Sequence, residues 1–591
     1  PGRAGGGRGG GAPPFPGGVG PVCVRGRVPA CAGGMGGGGQ DGWAVAADIA
    51  LQGAQVVVYV LSGLSVAVAG DRLYHAARYG GAKLIKRGPR APEKRFQFTP
   101  LPDPAAAVAS PKGAEGEAGA GAGGADWEEG QFPAVAVQLP MFNERAVCRE
   151  IIRRTCELQW PRKKLFVQVL DDSTDPETRD AVDGAALFFR NQGVQITVLR
   201  RENRQGYKAG ALKEGLEALG HCDFVAILDA DFKPDRSFLR DTVPYLIDNA
   251  DVGYVQTRWT FANPNETLLT KAQQISLNFH VKCEQWVEFE SGHFFNFNGT
   301  AGVWRRSCIK DPKVGGWEAR TTVEDMDLSL RAHLAGWKAV FLDGVTCENE
   351  LPSSYFAYRK QQHRWCCGPM QLWVRSGLSI FRSQIGVLEK LYLFFVYFAV
   401  RKFATHCVTL LFFCFVVPMS MFLPVHVPFW ALVYVPIAVS LSTVAFTGVG
   451  GFFHCVTYVL FENCMSLVRS WAVITGLLNL PRANEWVVTT KTGSSDQKPM
   501  TGALLAFSKI GNRIYIGELV VAAFFIAAAL FGVTAINRWD FSIFLFLQGG
   551  CFLAFGLNMV DADAVLGRAD SFKAFASKKA GKLRRQVSAP Y

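Results

Sequence analysis

Long apolar segments constrain this chain more than any other feature of its sequence. Hydrophobic residues make up 49% of the 591 residues, and Phe alone accounts for 44. An α-helix needs about 20 apolar residues to cross a bilayer. Four segments after residue 390 approach or exceed that length, and they cover residues 403–423, 429–450, 514–536 and 541–560. We therefore expect a multi-pass membrane protein.

Two other apolar stretches are less clear. Within residues 43–70, a span from about residue 49 is long enough to cross the membrane, whereas a cleaved signal peptide is the alternative. Residues 451–480 are interrupted by Glu462, Asn463 and Arg469, which favours an interfacial helix over a further span. The chain begins with Pro1, so we expect its start to be missing or processed.

The distribution of basic residues predicts an orientation. The net charge is +12, and its clustering beside apolar segments favours a membrane surface over nucleic acid as partner. Lys and Arg are frequent after the first apolar segment, in the loop 481–513 and in the tail, but residues 424–428 have none. The positive-inside rule then places the region between the first and second spans in the cytosol. The 15 Cys form no C-x-x-C pair, which argues against a zinc site.

Residues 132–375 have a different sequence pattern, in which short apolar segments typical of strands alternate with helix-like stretches. Strands are predicted at residues 135–139, 165–170, 194–199 and 224–228. Such alternation is typical of a parallel α/β sheet. The flanking segments are predicted as a disordered Gly/Pro-rich N-terminus (1–42), a basic segment and low-complexity linker (71–131), an interfacial segment (376–402) and a basic tail (561–591).

Two aspartates follow the fourth predicted strand. The segment Val-Ala-Ile-Leu-Asp-Ala-Asp runs into Asp229 and Asp231. Residues i and i+2 share one face of an extended backbone, and ligands of open α/β sheets bind at the carboxyl ends of the strands. The two carboxylates are thus candidates to hold one Mg²⁺ or Mn²⁺ ion with waters and phosphate oxygens. A strand that ends in an acidic turn is the simpler alternative, because D-x-D is a common pattern.

Polar residues also follow the first two predicted strands. Asn143 and Glu144 come after the first strand, and Asp171 and Asp172 come after the second. The ends of parallel strands meet at one edge of a sheet, so these side chains are candidates for hydrogen bonds to a nucleobase and ribose. Helix N-capping explains any single turn of this kind, but three consecutive polar strand ends favour a nucleotide site.

Three further motifs carry candidate functional groups. Lys208 lies between two glycines before a helix-like stretch, which suits either a phosphate or an ordinary helix start. Asp325 is a candidate general base, although the preceding Thr-x-x-Glu also matches a helix capping box. Arg364 and Trp365 end a motif that begins at Gln361. They offer a bidentate contact to a diphosphate and a flat face to a sugar, or else an interfacial anchor.

In this order, the motifs resemble those of the processive family 2 glycosyltransferases of the cellulose synthase superfamily. The shared pattern is an Asp pair, D-x-D, Glu-Asp and Q-x-x-R-W, across about residues 132–375. Val323 replaces the Thr of the family's Thr-Glu-Asp, as it does in the cellulose synthase-like A and C branches. Residues 171–176 and 206–215 look like branch A, whose likeness implies GDP-mannose. Residues 367–372 look like branch C, whose likeness implies UDP-glucose.

The resemblance implies a fold and an activity. The fold is an α/β domain of GT-A type (Rossmann-like), inserted between transmembrane helices in the Golgi membrane. The activity is an inverting hexosyl transfer that builds a β-1,4 (gluco)mannan from GDP-mannose, with GDP-glucose as a second donor, or a β-1,4-glucan from UDP-glucose. The implied cofactor is Mg²⁺ or Mn²⁺. The expected partners are a nucleotide sugar, the growing polysaccharide and membrane lipid, but no nucleic acid.

The same resemblance implies residue roles. Asp325, as base, and Asp172 are catalytic, while Asp229 and Asp231 hold the metal and diphosphate. The remaining roles are nucleotide binding by Asn143, Glu144, Asp171 and Lys208, diphosphate and acceptor contacts by Gln361, Arg364 and Trp365, an acceptor lining of Phe297, Asn298, Gly299 and Thr300, and a gating loop with Val488, Thr489 and Lys491.

Two rival classes remain open at this point. A lipid-linked glycosyltransferase that adds one sugar to dolichyl phosphate shares the aspartate motifs, but Q-x-x-R-W and the gating-loop segment count against it. A transporter or scaffold with a nucleotide-binding domain is the alternative without catalysis. Transporters usually bind their substrate near the bilayer midplane, whereas the ionisable residues of this chain cluster outside its apolar segments.

Overall fold

The computed structural model describes residues 40–84, 95–102, 132–446, 452–480 and 514–560. The chain divides at Gly53 into two units. In the first unit the described residues are helical, and Gln52 Nε2 donates to Asp48 Oδ2 at 2.8 Å. The second unit, residues 54–591, holds the sheet and the other described helices. Most of the predicted N-terminal segment and linker, the gating loop and the tail lie outside the described residues.

A seven-stranded mixed sheet forms the core of the second unit. Its strands are β1 (Val135–Met141), β2 (Leu165–Asp171), β3 (Gln195–Leu199), β4 (Phe224–Ile227), β5 (Val252–Phe261), β6 (Gly302–Arg305) and β7 (Lys338–Asn349). The strand order is β3-β2-β1-β4-β6-β5-β7. Among these described strands only β6 runs antiparallel to its neighbours. The predicted α/β class is thereby confirmed.

Helices connect and extend this sheet. Around the sheet they are Arg145–Cys156, Arg162–Lys164, Pro176–Asn191, Tyr207–Glu217, Phe238–Asp248, Leu268–Asn278, Phe279–Glu284, Gln285–Ser291, Arg306–Ile309, Glu324–Leu334 and Tyr355–Arg382. The more apolar helices are Gln40–Leu84, a helical run at Val387–Met419, Trp430–Val444, Phe452–Leu477, Ile516–Thr534 and Trp539–Gly556.

The central strands are apolar because both of their faces are covered. Every residue of β1 and β4 is buried, as expected for parallel strands inside an α/β sheet. Two buried glutamines are the exception, and Gln138 Nε2 donates to Gln168 Oε1 at 2.8 Å. A Cβ atom at Gly215 would lie 2.5 Å from that same Gln168 oxygen. Gly215 therefore lets the helix Tyr207–Glu217, which carries Lys208, lie close against the sheet.

Four described helices are long and apolar enough to cross a membrane, namely Trp43–Ala82, Val387–Met419, Ile516–Thr534 and Trp539–Gly556. The helix Trp430–Val444 is apolar but shorter. The predicted interfacial segment 376–402 is divided in the structure. Its first residues end the helix Tyr355–Arg382, and from Val387 it belongs to the second apolar helix, because the apolar sequence continues across residues 391–400.

The helix Phe452–Leu477 contains the three polar residues that interrupt its apolar sequence. Asn463 Nδ2 donates to Gln548 Oε1 at 3.0 Å, and Arg469 Nε donates to Gln362 Oε1 at 2.9 Å. Arg469 also pairs with Glu462 at 2.5 Å. Asn463 and Arg469 thus bond to other helices and Glu462 bonds within its own, so the interruption in the apolar pattern reflects internal contacts. The interfacial position of this helix stays a prediction.

Candidate active site

An open cavity lies at the carboxyl ends of β1, β2 and β4. The predicted residues that line it are Glu144, Asp172, Lys208, Asp229, Asp231, Asn298, Gly299, Asp325, Gln361, Arg364 and Trp365. Residues from distant parts of the sequence therefore meet at one site.

Asp229 is held from two sides. Its backbone N–H donates to Thr300 Oγ1 at 2.8 Å, and its carboxylate accepts from Lys208 Nζ at 2.5 Å. Lys208 also donates to the carbonyl of Gly299 at 2.9 Å. Burial lowers the pKa of Lys208, but Asp229, Glu324 and Asp325 together outweigh that effect and the pKa is raised overall. Lys208 therefore stays charged beside the D-x-D motif.

The two aspartates that follow β2 have different environments. The Asp171 carboxylate is fully buried and accepts from Arg200 Nε at 2.9 Å and from the Ser173 N–H at 3.0 Å. The Asp172 carboxylate lines the cavity and is held by Arg201, with Nε at 3.0 Å and Nη2 at 2.5 Å. Of the pair, Asp172 is thus the one that a ligand in the cavity can touch.

Asn143 and Glu144 also have different environments. Asn143 has a φ of +54°, and its Oδ1 accepts from the N–H groups of Thr174 and Asp175 at 2.9 and 3.0 Å. Asn143 therefore joins the loops that follow β1 and β2, and it does not line the cavity as Glu144 does. Its predicted contact with the nucleotide stays a prediction.

Asp325 lies at the start of the helix Glu324–Leu334, beside Glu324. Its Oδ1 accepts from the Met326 N–H at 2.7 Å. Burial raises the pKa of Asp325, against the opposing effects of Lys208 and Arg364. Burial and the charge of Asp325 likewise raise the pKa of Glu324. A buried carboxylate with a raised pKa in a cavity has the properties expected of a general base.

The helix Tyr355–Arg382 brings the Q-x-x-R-W motif to the cavity. A Cβ atom at Gly368 would lie 2.6 Å from Val323 Cγ1 and 2.8 Å from Thr322 Oγ1. Gly368 thus allows this helix to pack against the segment that precedes Asp325. Val323 fills that contact, whereas the neighbouring Thr322 hydroxyl donates to the Arg364 carbonyl at 3.3 Å.

The Q-x-x-R-W side chains present polar atoms to the cavity. Gln361 Oε1 is buried and has no hydrogen-bond partner among the described residues, so it can accept a hydrogen bond from a ligand or from a water. Burial lowers the pKa of Arg364, although Glu324 and Asp229 act in the opposite direction. Trp365 lines the same cavity.

The predicted acceptor-lining segment is only partly exposed to the cavity. Asn298 and Gly299 line it, and Asn298 is fixed by its N–H bond to Gln256 Oε1 at 2.8 Å. The Phe297 ring is fully buried and packs edge-on against Trp304 at 5.3 Å. Thr300 does not line the cavity, and its hydroxyl oxygen accepts the hydrogen bond from the Asp229 N–H. The predicted gating-loop residues Val488, Thr489 and Lys491 lie outside the described residues.

Sequence reasoning missed several residues that line the cavity. Phe142, Arg204, Glu324 and Glu350 are among them. Arg204 follows β3, so the rule applied to the ends of the other parallel strands would have found it. Glu350 follows β7 in the same way. Phe142 and Glu324 lie within the recognised motifs, but roles were predicted only for their neighbours, Asn143 and Asp325.

The donor set suits a divalent cation bound together with a phosphate ligand. No group of three or more His, Cys, Asp or Glu that could hold a metal occurs in the described part of the chain. Asp229 and Asp231 nevertheless both line the cavity, and two carboxylates with substrate phosphates form a common arrangement for Mg²⁺. The residues present therefore fit Mg²⁺ or Mn²⁺ with the donor diphosphate completing the site.

Comparisons with known proteins agree with this site. Residues 133–368 match the model of a glycosyltransferase like family 2. The chain is 41% identical to glucomannan 4-beta-mannosyltransferase 1 of Oryza sativa subsp. japonica, over 86% of this chain and 94% of that protein. It is 40% identical to glucomannan 4-beta-mannosyltransferase 2 of Arabidopsis thaliana, over 86% and 91%.

Among solved structures, the mannosyltransferase PcManGT from Pyrobaculum calidifontis, in complex with GDP-Man and Mn2+, aligns with a TM-score of 0.42 and 17% identity. The alignment covers 70% of this chain and 99% of that one.

Proposed function

Because this chain belongs to the glucomannan 4-beta-mannosyltransferases of glycosyltransferase family 2, we propose that it transfers mannose from GDP-mannose to the 4-hydroxyl of a growing β-1,4-linked mannan or glucomannan. The observation that carries the proposal is the 41% identity across 94% of a relative with that name. The family membership makes the chain a hexosyltransferase, so the transporter or scaffold alternative is wrong.

In the proposed reaction Asp325 accepts the proton of the acceptor 4-hydroxyl. The oxygen then attacks C1 of the mannose from the face opposite the diphosphate, and the C1–O bond to the phosphate breaks with its electron pair leaving on GDP. Attack from the opposite face inverts the α-linked donor into a β-linkage. The raised pKa of Asp325 supports its role as base, because proton transfer is most effective when the pKa of the base lies near the working pH.

Three cationic groups would offset the negative charge of the leaving diphosphate. Lys208 and Arg364 both line the cavity, and fixed positive groups stabilise charge that develops during reaction. Asp229 and Asp231 would hold a Mg²⁺ or Mn²⁺ ion, which supplies further positive charge to the diphosphate when bound. The proposed contacts of Glu144 and Asp172 are with the nucleoside, and Trp365 is proposed to stack on the acceptor sugar.

The same proposal includes the location of the enzyme. Four described helices are long and apolar enough to cross a membrane. Together with the basic residues that follow the first of them, they support a multi-pass membrane protein with its catalytic domain in the cytosol. The Golgi membrane is the location that the family resemblance implies. A protease added to intact vesicles should then cleave within residues 132–375. Protection of that region would contradict the orientation.

The activity is tested by sugar incorporation. Membranes that contain the full chain are supplied with labelled GDP-mannose or labelled UDP-glucose, each with Mn²⁺ or Mg²⁺. We expect an insoluble polymer from GDP-mannose that β-mannanase digests. Polymer only from UDP-glucose, digested by β-glucanase, would identify a glucan synthase instead. Label only in an organic-soluble lipid would identify the lipid-linked class.

The matched control is Asp325→Asn. The variant keeps the size of the side chain but lacks the basic carboxylate, and loss of a general base typically costs about 10²–10⁴-fold in rate. We expect incorporation to fall by at least about 10²-fold while GDP binding stays within about twofold. Near-normal turnover in this variant would show that Asp325 is not the base.

A further inference from the structure

The guanidinium of Arg204 lies over the ring of Phe142 in the cavity. The guanidinium carbon is 3.4 Å from the centre of the Phe142 ring, which is a stacking distance. Both side chains line the cavity. Stacking on an aromatic ring restricts a guanidinium to one plane, so the N–H groups of Arg204 point in fixed directions.

The Arg204 guanidinium is incompletely paired. Its Nε is buried and has no hydrogen-bond partner among the described residues, and its distance to Asp172 Oδ2 is 4.0 Å. Asp172 is already engaged by Arg201, which binds both of its oxygens. A buried donor without a partner is unfavourable, so the site favours a ligand that offers Arg204 an acceptor.

Arg204 and Asp172 thus place fixed donors and fixed acceptors side by side. Arg201 anchors the carboxylate of Asp172, and each carboxylate oxygen can accept more than one hydrogen bond. The matching ligand edge must offer two adjacent acceptors to a guanidinium and two adjacent donors to a carboxylate.

Guanine is the base that has this pattern. Its O6 and N7 are adjacent acceptors, and arginine commonly binds both of them. Its N1–H and 2-amino group are adjacent donors that suit a carboxylate. Uracil carries a single N–H between two carbonyl groups and has no two adjacent acceptors.

We propose that Arg204, stacked on Phe142 beside Asp172, selects the guanine base of the donor nucleotide. Arg204 donates to O6 and N7, and Asp172 accepts from N1–H and the 2-amino group. This assignment rests on the proposed function, for which it names the groups that distinguish GDP-linked from UDP-linked donors.

The test uses the full-length protein in detergent with Mn²⁺ and measures the dissociation constants of four nucleoside diphosphates. GDP is compared with 7-deaza-GDP, which lacks the N7 acceptor, with IDP, which lacks the 2-amino group, and with UDP. One hydrogen bond to a charged group contributes roughly 1.5–3 kcal/mol. We therefore expect the unaltered protein to bind 7-deaza-GDP and IDP each at least about tenfold more weakly than GDP.

In Arg204→Gln we expect GDP to bind about tenfold or more weakly, while UDP binding changes by less than about twofold. The preference for GDP over 7-deaza-GDP should disappear, but the preference for GDP over IDP should remain because Asp172 is unchanged. A purely structural role for Arg204 would weaken all four ligands together and leave these ratios as they were.

The matched control is Arg145→Gln. Arg145 follows the same strand end as Phe142, but it is 62% exposed and pairs with Glu177 away from the cavity. Its four affinities should equal those of the unaltered protein.

The proposal does not depend on the folding of a variant. If the unaltered protein binds GDP and 7-deaza-GDP equally well, Arg204 does not read N7 and the inference is overturned. That outcome together with polymer formation from GDP-mannose would leave the proposed function intact. Conversely, tighter binding of UDP than of GDP, together with glucan formation from UDP-glucose, would overturn the proposed donor as well.

Discussion

At the scale of single residues, the adjacent carboxyl groups of Glu324 and Asp325 determine how the site responds to pH. Burial raises the pKa of both groups, so each stays protonated to a higher pH than a carboxyl in water. A protonated Asp325 cannot accept the acceptor's proton. We therefore expect kcat for mannose incorporation to rise with pH through the raised pKa of Asp325, with a midpoint above the ordinary value of 3.8. A rate that stays constant down to that ordinary value would contradict this assignment.

Glu324→Gln tests the interaction within the pair. The charge of Asp325 raises the pKa of Glu324, so Asp325 ionises first, while Glu324 is still neutral. In Glu324→Gln the acidic limb of the pH–rate profile is therefore expected to stay in place, while the maximal rate at high pH falls less than in Asp325→Asn. A shift of that limb to lower pH would mean that the charge of Glu324 also raises the pKa of Asp325.

Gly299 permits the close approach of the acceptor-lining segment to Asp325. Its φ is +83°, and a Cβ atom there would lie 2.7 Å from Asp325 Oδ2. In Gly299→Ala the carboxylate must move, and a misplacement of about 1 Å can cost roughly 10²-fold in rate. We expect kcat to fall by about that factor, measured by incorporation from GDP-mannose.

Gly315→Ala is the control for backbone strain alone. Gly315 has a similar φ of +77°, but its Cβ would lie 3.5 Å from the nearest atom, Arg331 Nη1. Both variants should lose similar thermal stability, but only Gly299→Ala should lose most of its activity. Equal activity losses in the two variants would mean that the steric contact with Asp325 does not matter.

At the scale of elements, the helix Tyr207–Glu217 is held against the sheet through Gly215. A Cβ atom at this position would lie 2.5 Å from Gln168 Oε1, 2.6 Å from Gln138 Nε2 and 2.8 Å from Leu170 Cδ2. Overpacking of a core usually costs about 1–3 kcal/mol. Gly215→Ala should therefore lower the unfolding temperature of the full chain in detergent, followed by tryptophan fluorescence.

The opposite effect on the unfolding temperature is expected when a glycine in another helix is replaced by alanine. Gly184 lies within Pro176–Asn191, and its Cβ would meet no atom within 4 Å. Alanine is favoured over glycine in a helix by about 1 kcal/mol, so Gly184→Ala should leave the unfolding temperature unchanged or raise it. A fall of equal size in both variants would show that the close packing at Gly215 is not what destabilises the first.

The contrast between strands shows what the sequence can reveal about elements. The strands β1 to β4 were predictable because each is a short apolar run that a turn signal ends. The strands β5, β6 and β7 were all missed. The four residues of β6, Gly302–Arg305, form a strand only through pairing with β4 and β5. That pairing depends on contacts distant in sequence, which no local pattern reports.

The site shows the same limit. Asp172, Asp229, Asp325 and Arg364 were predictable as motif members, and the structure brings them to one cavity. The different environments of Asp171 and Asp172 were not predictable, because they depend on which arginine, Arg200 or Arg201, reaches each carboxylate.

At the scale of the whole molecule, a buried ionic network joins three parts of the chain. Arg401, on the apolar helix Val387–Met419, donates from Nη2 to Asp71 Oδ1 at 2.8 Å and lies 2.9 Å from Glu288 Oε1. Asp71 belongs to the helix Gln40–Leu84, and Glu288 to the helix Gln285–Ser291 beside the sheet domain. The network therefore fastens the catalytic domain to two membrane-type helices.

Removal of the central cation should separate these parts. The side chains of Arg401, Asp71 and Glu288 are only 8%, 7% and 3% exposed, so Arg401→Met would leave two carboxylates buried without it. Loss of one partner of a buried ion pair typically costs about 3–5 kcal/mol. Arg401→Lys keeps the charge but loses the paired N–H geometry, and we expect its stability to be affected less.

The measurement for the Arg401 variants is the fraction of full-length protein that stays monodisperse after heating in detergent. GDP affinity in the folded fraction should be unchanged, because Arg401 does not line the cavity. Equal stability of Arg401→Met and the unaltered chain would show that the network does not hold the domain to the helices.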